Sequence, residues 1–301
     1  MTISVALCTY NGEKFLAEQL DSILCQGIPV DEIIVCDDGS TDTTKSILLD
    51  YQRKLPAVFQ LFFNDNNLGY VKNFEKAISL CNGDLIFLCD QDDIWLKHKV
   101  ETILSTTKQN PNKNIFAHRI DILEKNNEIS TTSFWDIKGF DKNFSNKELL
   151  KYLLFQRNVF PGMSLTITKE AKEKYLPLKT PHQQIIHDYE LILKGCNDNA
   201  FLLIDEVLTL YRMHENQNIG FDTNINNYPM ESVQTIYSKI KRFELVKNGV
   251  IALRLDSKLV DLYKEKCRED YRKFILNLPI PKRWITHLKM KYYYKILDEI
   301  S

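Results

Sequence analysis

Asp90, Asp92 and Asp93 place three carboxylates within four residues, directly behind the apolar run Leu85 to Cys89. A buried strand thus delivers an acidic turn to the end of a sheet. Clustered carboxylates repel one another and cost stability unless a cation joins them. Hard oxygen ligands at this spacing suit Mg2+ or Mn2+, and such ions commonly accompany phosphate groups. Helix capping accounts for one Asp but not for three. The turn therefore reads as a site for a divalent cation or a nucleotide.

Two further polar clusters occupy comparable places. Thr9, Tyr10 and Asn11 follow the first apolar run, and Asp37 and Asp38 follow the second. Both clusters can line a nucleotide pocket, with Asp38 accepting hydrogen bonds from a base or ribose. A plain turn with Ser40 or Thr41 as N-cap is the competing reading for Asp37 to Asp42. No Gly-x-Gly-x-x-Gly follows the first strand, and no Gly-x-x-x-x-Gly-Lys-Ser/Thr occurs anywhere. Both motifs need glycines for close backbone approach to phosphate, so dinucleotide-binding and P-loop readings are disfavoured.

The elements that must hold these residues alternate. Strands are expected over Ile3 to Leu7, Glu32 to Cys36, Val58 to Phe63 and Leu85 to Cys89. Helices are expected from Gly12 to about Cys25, after Asp42, from Gly69 to about Cys81, and from about Ile94. Short apolar runs between helices point to a largely parallel sheet covered on both faces. Ligands of such sheets bind beyond the carboxyl ends of the strands, where every motif above lies. Further on, Ile115 to Ile120, Met163 to Thr168, Ala200 to Ile204 and Val207 to Tyr211 read as strands. The last two are separated by Asp205 and Glu206. Ile185 to Leu193 has helical spacing, and the chain turns helical again from about Tyr228. The Asn- and Asp-rich stretch Gly220 to Tyr228 is the candidate boundary.

Composition bounds the rest. The 301 residues suit one large domain or two smaller ones, with 44% hydrophobic and 26% charged residues, as in soluble globular proteins. A net charge of -1 gives no general attraction to nucleic acid. The seven cysteines include no CxxC pair, which argues for reduced thiols in the cytosol and against a zinc site. The N-terminus lacks the basic region of a signal peptide, and no apolar stretch reaches the ~18 to 20 residues that span a bilayer. Any membrane contact is expected to be peripheral.

Four segments in order, each after a strand, resemble the family 2 glycosyltransferases: Val5 to Gly12, Asp37 to Asp42, Asn67 to Phe74, and Asp90 to Trp95. The resemblance covers roughly residues 2 to 220. It implies an α/β fold of GT-A type with a Rossmann-like nucleotide-binding half, a nucleotide-sugar donor, and Mn2+ or Mg2+ as cofactor. It also implies roles. Asp38 would contact the base and Asp90 the ribose, with Gln91 between the carboxylates of the motif. Asp92 would hold the divalent ion on the diphosphate. Asp93 would assist or cap the next helix. Thr9, Tyr10 and Asn11 would border the nucleotide, and Gly69, Lys72 and Asn73 would belong to the loop and helix start that close over the base.

The family carries an acidic general base at a helix start, which Asp188 of His187-Asp188-Tyr189-Glu190 matches. Such a base must reach the acceptor oxygen on the side opposite the leaving group. Helix capping is the plain alternative for Asp188. A His near the metal or diphosphate corresponds to His214, which is either a ligand or a structural residue, and Arg212 could neutralise phosphate. Asn158 to Ser164 is expected to form the acceptor-side wall, and Trp95 to pack in the core.

Cys89 to Trp95, the helix start at His187-Asp188 and Tyr211 to Gln217 together most resemble the rhamnosyltransferase branch. It implies L-rhamnose moved from dTDP-L-rhamnose, with inversion, to a hydroxyl of a glycan or polyprenyl-linked acceptor in bacterial surface polysaccharide synthesis. A UDP-hexose transferase of the same fold is the nearest alternative. A nucleotidyltransferase and a non-catalytic polysaccharide-binding module are the others. The implied organisation is a catalytic domain over 1–220, split into a nucleotide-sugar half (1–110) and an acceptor half (111–220), then a helical region over 221–301. The basic, aromatic-rich tail from Pro281 to Leu297 suits either an anionic membrane surface or packing on the catalytic domain. The implied place is the cytoplasm, with peripheral contact at the inner face of the membrane if the tail binds there.

Overall fold

A computed structural model of the chain describes residues 1–125, 128–130, 133–138, 140–214 and 233–277. The stretch Gly220 to Tyr228 and the tail beyond Pro281 lie outside the described residues.

Four parallel strands build the first half: β1 (Ile3–Thr9), β2 (Glu32–Asp37), β3 (Phe59–Phe63) and β4 (Leu85–Cys89). Every residue of β1 and β4 is buried, as strands covered on both faces must be. The covers are α1 (Leu16–Leu24), α2 (Thr44–Lys54) and α3 (Tyr70–Leu80). α1 buries Leu16, Gln19, Leu20 and Ile23, one face of a 3.6-residue repeat.

The chain does not enter a helix at Ile94 as the sequence reading expected. Ile94–Trp95 forms a short strand, β5, antiparallel to residues 209 and 210, and the helix α4 starts only at Lys99 (Lys99–Gln109). Trp95 is buried and packs on Phe87 at 5.4 Å.

Beyond α4 run β6 (Ile115–Leu123), α5 (Phe134–Lys138), α6 (Asn146–Phe155), β7 (Leu165–Thr168), α7 (Lys169–Tyr175), α8 (His187–Asn197) and β8 (Phe201–Arg212). A single 3-10 turn over Gly162–Ser164 precedes β7. The two short strands expected around Asp205 and Glu206 are one strand, whose pairing with β6 shifts register at Arg119. The full sheet has the order β3-β2-β1-β4-β7-β6-β8-β5. β2 and β4 flank β1 on opposite sides, so the chain direction across the sheet switches at β1. A cleft beyond the carboxyl ends of strands forms at such a point.

The chain divides into two compact units. The first comprises Met1–Leu153, Asn158–Thr180 and Ile186–Phe221, and the second Leu154–Arg157, Pro181–Ile185 and Asp222–Ser301. The second contains the paired helices α9 (Val233–Leu253) and α10 (Lys258–Asn277), with Tyr263 stacked on Phe243 and packed against Phe155. Among the described residues no helix is long and apolar enough to cross a membrane.

Candidate active site

The end of β1 is tied to the acidic turn by backbone-like pairing. The Gln91 amide accepts from Tyr10 N at 2.9 Å and donates to Tyr10 O at 3.1 Å. Gly12 makes room for it, since a Cβ there would lie 2.2 Å from Gln91 Oε1. Asn11 accepts from Thr41 N, and its own N–H donates to Ser40 Oγ at 2.8 Å. Asp37 is wholly buried and accepts from Thr9 Oγ1 at 2.9 Å and from Ser40 N at 3.0 Å. Of the Asp37–Asp38 pair, Asp37 is therefore the scaffold residue.

Asp38 organises the loop between β3 and α3. Its carboxylate accepts from Asn64 Nδ2 (2.8 Å), Leu68 N (2.8 Å) and Gly69 N (2.9 Å). Gly69 supplies the last of these at φ 79°, in the left-handed region that favours glycine. Asn73 lies behind, buried, joined to Asn64 at 2.9 Å and to Cys36 O at 2.8 Å. Lys76 completes the network by donating to Asn64 Oδ1 at 2.6 Å. Lys72 points elsewhere, into an ion pair with Glu75 at 2.8 Å. Lys72 is expected at this loop from the sequence, and the side chains that hold the loop between β3 and α3 are Asn64 and Lys76. Asn64 fell within a segment read only as a loop, and Lys76 on a helix face carried no distinguishing signal.

In the acidic turn, Asp92 Oδ2 lies 2.8 Å from His214 Nε2. His214 packs on the Phe15 ring, as does the Arg212 guanidinium, which also donates to Asp92 O at 3.0 Å and pairs with Glu18. Asp93 is buried, accepting from Arg212 N through Oδ1 while Oδ2 has no partner among the described residues. Burial, then the charges of Asp92 and Asp188, raise the pKa of Asp90. Asp93 is raised for the same leading reason, with Asp92 and Asp90 adding to it.

A buried lysine whose field reaches Asp90 and Asp93 is one the sequence did not disclose. Lys99 is fully buried, and its ammonium donates to Met163 O at 3.0 Å and to Thr209 Oγ1 at 2.9 Å over the face of Trp95. Burial lowers its pKa to about 7 against the opposing fields of Cys89, Asp93 and Asp90. In sequence it was one more lysine at a helix start.

Asp188 opens α8, nearly buried, with Oδ1 accepting from Tyr189 N at 2.5 Å. Burial raises its pKa to about 7, opposed by the amides of Tyr189 and Gly162. That value suits a general base working near neutrality. Glu190, two positions on, is wholly buried and accepts from Lys179 N and Thr180 N while pairing with Lys194 at 2.6 Å. The segment Asn158 to Ser164 turns mostly inward, with Val159, Phe160, Gly162, Met163 and Ser164 buried.

Among the described residues no group of three or more His, Cys, Asp and Glu side chains is arranged to hold a metal ion. One carboxylate and one imidazole, Asp92 and His214, converge. Small divalent ions are commonly held by one or two carboxylates with phosphate and water oxygens completing the shell. The carboxyl of Asp93 in the same turn leaves Oδ2 without a partner among the described residues. The donor set therefore fits Mg2+ or Mn2+ bound together with a diphosphate.

Residues 4–171 match the family model described as Glycosyl transferase family 2. The chain is 30% identical over 252 residues to the dTDP-rhamnosyl transferase RfbG of Shigella flexneri, covering 80% of this chain and 79% of that protein. Across the curated relatives compared, the matched stretch spans from 59% to 92% of the relative's length, and less than two thirds of several. Among solved structures, TarS 1-349 of S. aureus in complex with UDP-GlcNAc superposes with a TM-score of 0.61 at 18% identity, covering 95% of this chain and 79% of that one. The mannosyltransferase PcManGT of Pyrobaculum calidifontis, in complex with GDP-Man and Mn2+, gives 0.56 at 14% identity, covering 99% and 82%. These likenesses show a fold of GT-A type.

Proposed function

The chain belongs to glycosyltransferase family 2, and we propose that it transfers L-rhamnose from dTDP-L-rhamnose, with inversion, to a hydroxyl of a glycan or lipid-linked acceptor in bacterial surface polysaccharide synthesis. The observation that supports this reading of the transfer chemistry is the buried Asp188 carboxyl, whose pKa burial raises to about 7 and whose charge is felt at Asp90 of the acidic turn. The rhamnosyl assignment is supported by the similarity to the Shigella flexneri protein.

The residues divide the work as follows. The loop pinned by Asp38, Asn64 and Gly69 receives the base, with Thr9, Tyr10 and Asn11 along its border. Asp90 meets the ribose. Asp92 and His214 would hold Mg2+ or Mn2+, which when bound neutralises charge on the departing nucleoside diphosphate. Asp188 takes the proton of the acceptor hydroxyl as that oxygen attacks the anomeric carbon. Gln91 keeps the turn in register with Tyr10. Residues 1–110 are the nucleotide-sugar half of this reading and 111–220 the acceptor half, in a cytoplasmic protein that meets its acceptor at the membrane face.

A UDP-hexose donor is the second reading, favoured by the likeness to a structure holding UDP-GlcNAc. A hydrolysis assay with dTDP-rhamnose, UDP-glucose and UDP-galactose separates the two by which nucleoside diphosphate is released. Release from none of a broad donor set, with or without Mn2+, would return the protein to the non-catalytic class.

A further inference from the structure

His187 precedes the proposed base and is 4% exposed, yet neither ring nitrogen has a hydrogen-bond partner among the described residues. Its ring stacks on Phe74 of α3, with centroids 4.3 Å apart and planes at 13°, and meets Tyr70 edge-on at 6.3 Å. On the other side it approaches Gly162, where a Cβ would come within 3.0 Å of Nε2 and within 3.9 Å of Asp188 Cβ. Tyr70 is 38% exposed and feels the charge of Asp188, so the ring that His187 meets edge-on reaches both solvent and the field of that carboxylate.

A phenyl ring at 187 would stack on Phe74 equally well. It would also avoid leaving a donor and an acceptor unsatisfied in a buried place, where each forfeits its hydration with nothing in return. The polar atoms of the ring thus work against the packing unless a ligand engages them. α3 begins at Tyr70, directly after Gly69 of the loop pinned by Asp38, so the ring stacks on the helix that leaves that loop. We propose that the His187 imidazole hydrogen-bonds a hydroxyl of the donor's transferred sugar, and so selects the sugar while Asp188 handles the acceptor. Burial lowers the pKa of His187 to about 3 and keeps the ring neutral. A neutral imidazole offers one donor and one acceptor, which matches a hydroxyl and not a phosphate. The inference rests on the glycosyltransferase reading of the cleft.

The test compares a nucleoside diphosphate with its sugar conjugate: dTDP against dTDP-rhamnose, and UDP against UDP-glucose, by calorimetry with Mn2+. His187→Phe is expected to bind the free diphosphate within twofold of wild type. It should bind the preferred nucleotide-sugar roughly tenfold more weakly, the loss of about one hydrogen bond. Its melting temperature is expected to equal or exceed that of wild type. Equal affinity of wild type and variant for the sugar conjugate, or equal loss for both ligands, overturns the inference while leaving the transferase reading standing. A wild type that binds neither diphosphate overturns both. If His187→Phe does not fold, His187→Gln is read by the same comparison. Retention of part of the sugar-dependent affinity supports the inference, and affinity unchanged from wild type or lost equally for both ligands overturns it.

Discussion

Asp92 and His214, 122 positions apart in sequence, meet with Oδ2 and Nε2 at 2.8 Å. The contact is built from both sides, because Phe15 packs on the His214 ring while Arg212 holds the Asp92 carbonyl. In the proposed function this carboxylate and this imidazole would hold a divalent cation as a pair. Asp92→Asn and His214→Ala are each expected to raise the Mn2+ concentration for half-maximal activity by about tenfold or more. Metal titration of the transfer rate checks this, and unchanged Mn2+ dependence in both variants would count against the pair.

Asp188→Asn removes the proposed base and keeps its shape. Turnover is expected to fall by ~10² to 10⁴ with donor affinity within a few-fold of wild type. In the wild type, kcat should rise with pH through about 7, the value to which burial lifts the Asp188 carboxyl, because the base must be ionised. A flat profile between pH 5.5 and 8.5 would remove Asp188 from the mechanism.

The same carboxyl makes a stability prediction. Its folded-state pKa lies above the unfolded value, so between about pH 4 and 7 the folded state holds a proton that the unfolded state has released. Stability contributed by Asp188 is therefore full below about pH 4 and declines as pH rises to about 7. At pH 8, Asp188→Asn should be more stable than wild type by on the order of 2–4 kcal/mol, with the difference gone at pH 4. Urea denaturation at the two pH values, without metal, reads it directly.

Gly12→Ala tests the seam between β1 and the acidic turn. The added methyl would stand 2.2 Å from Gln91 Oε1, so the Gln91 amide must leave Tyr10 and both of their hydrogen bonds are lost. A destabilisation of about 1–2 kcal/mol is expected, together with a lower kcat as the turn loses its register. A variant with native stability and rate would show the seam to be dispensable.

Asn64→Ala should release Asp38, Asn73 and Lys76 at once. Buried partners left unsatisfied predict a loss of about 1–3 kcal/mol and weaker binding of the free nucleoside diphosphate. Thermal shift with and without the diphosphate separates the two effects.

Much of this architecture could be read in advance because the informative residues lie at strand ends. Fully buried runs such as Val5 to Leu7 and Leu85 to Cys89 announce parallel strands, and the polar residues after them must then share one edge of the sheet. What escaped depends on partners far along the chain. Ile94 and Trp95 are a strand only because residues 209 and 210 pair with them. Asp205 and Glu206 do not break β8, since both stand exposed on it at the point where its pairing shifts. Lys99 gave no local sign of burial, for its two oxygen partners come from Met163 and Thr209. His187 was visible only as a neighbour of Asp188, and nothing in its own spacing foretold the stack on Phe74.

The carboxylate of Asp38 already serves three donors within its own chain. In the proposed function an incoming heterocycle would therefore share an engaged acid and fit the contour of residues 64–69 that this acid maintains. Retuning the choice of heterocycle is accordingly a task of reshaping that short backbone segment, and exchanging Asp38 itself would dismantle the contour before it altered any preference.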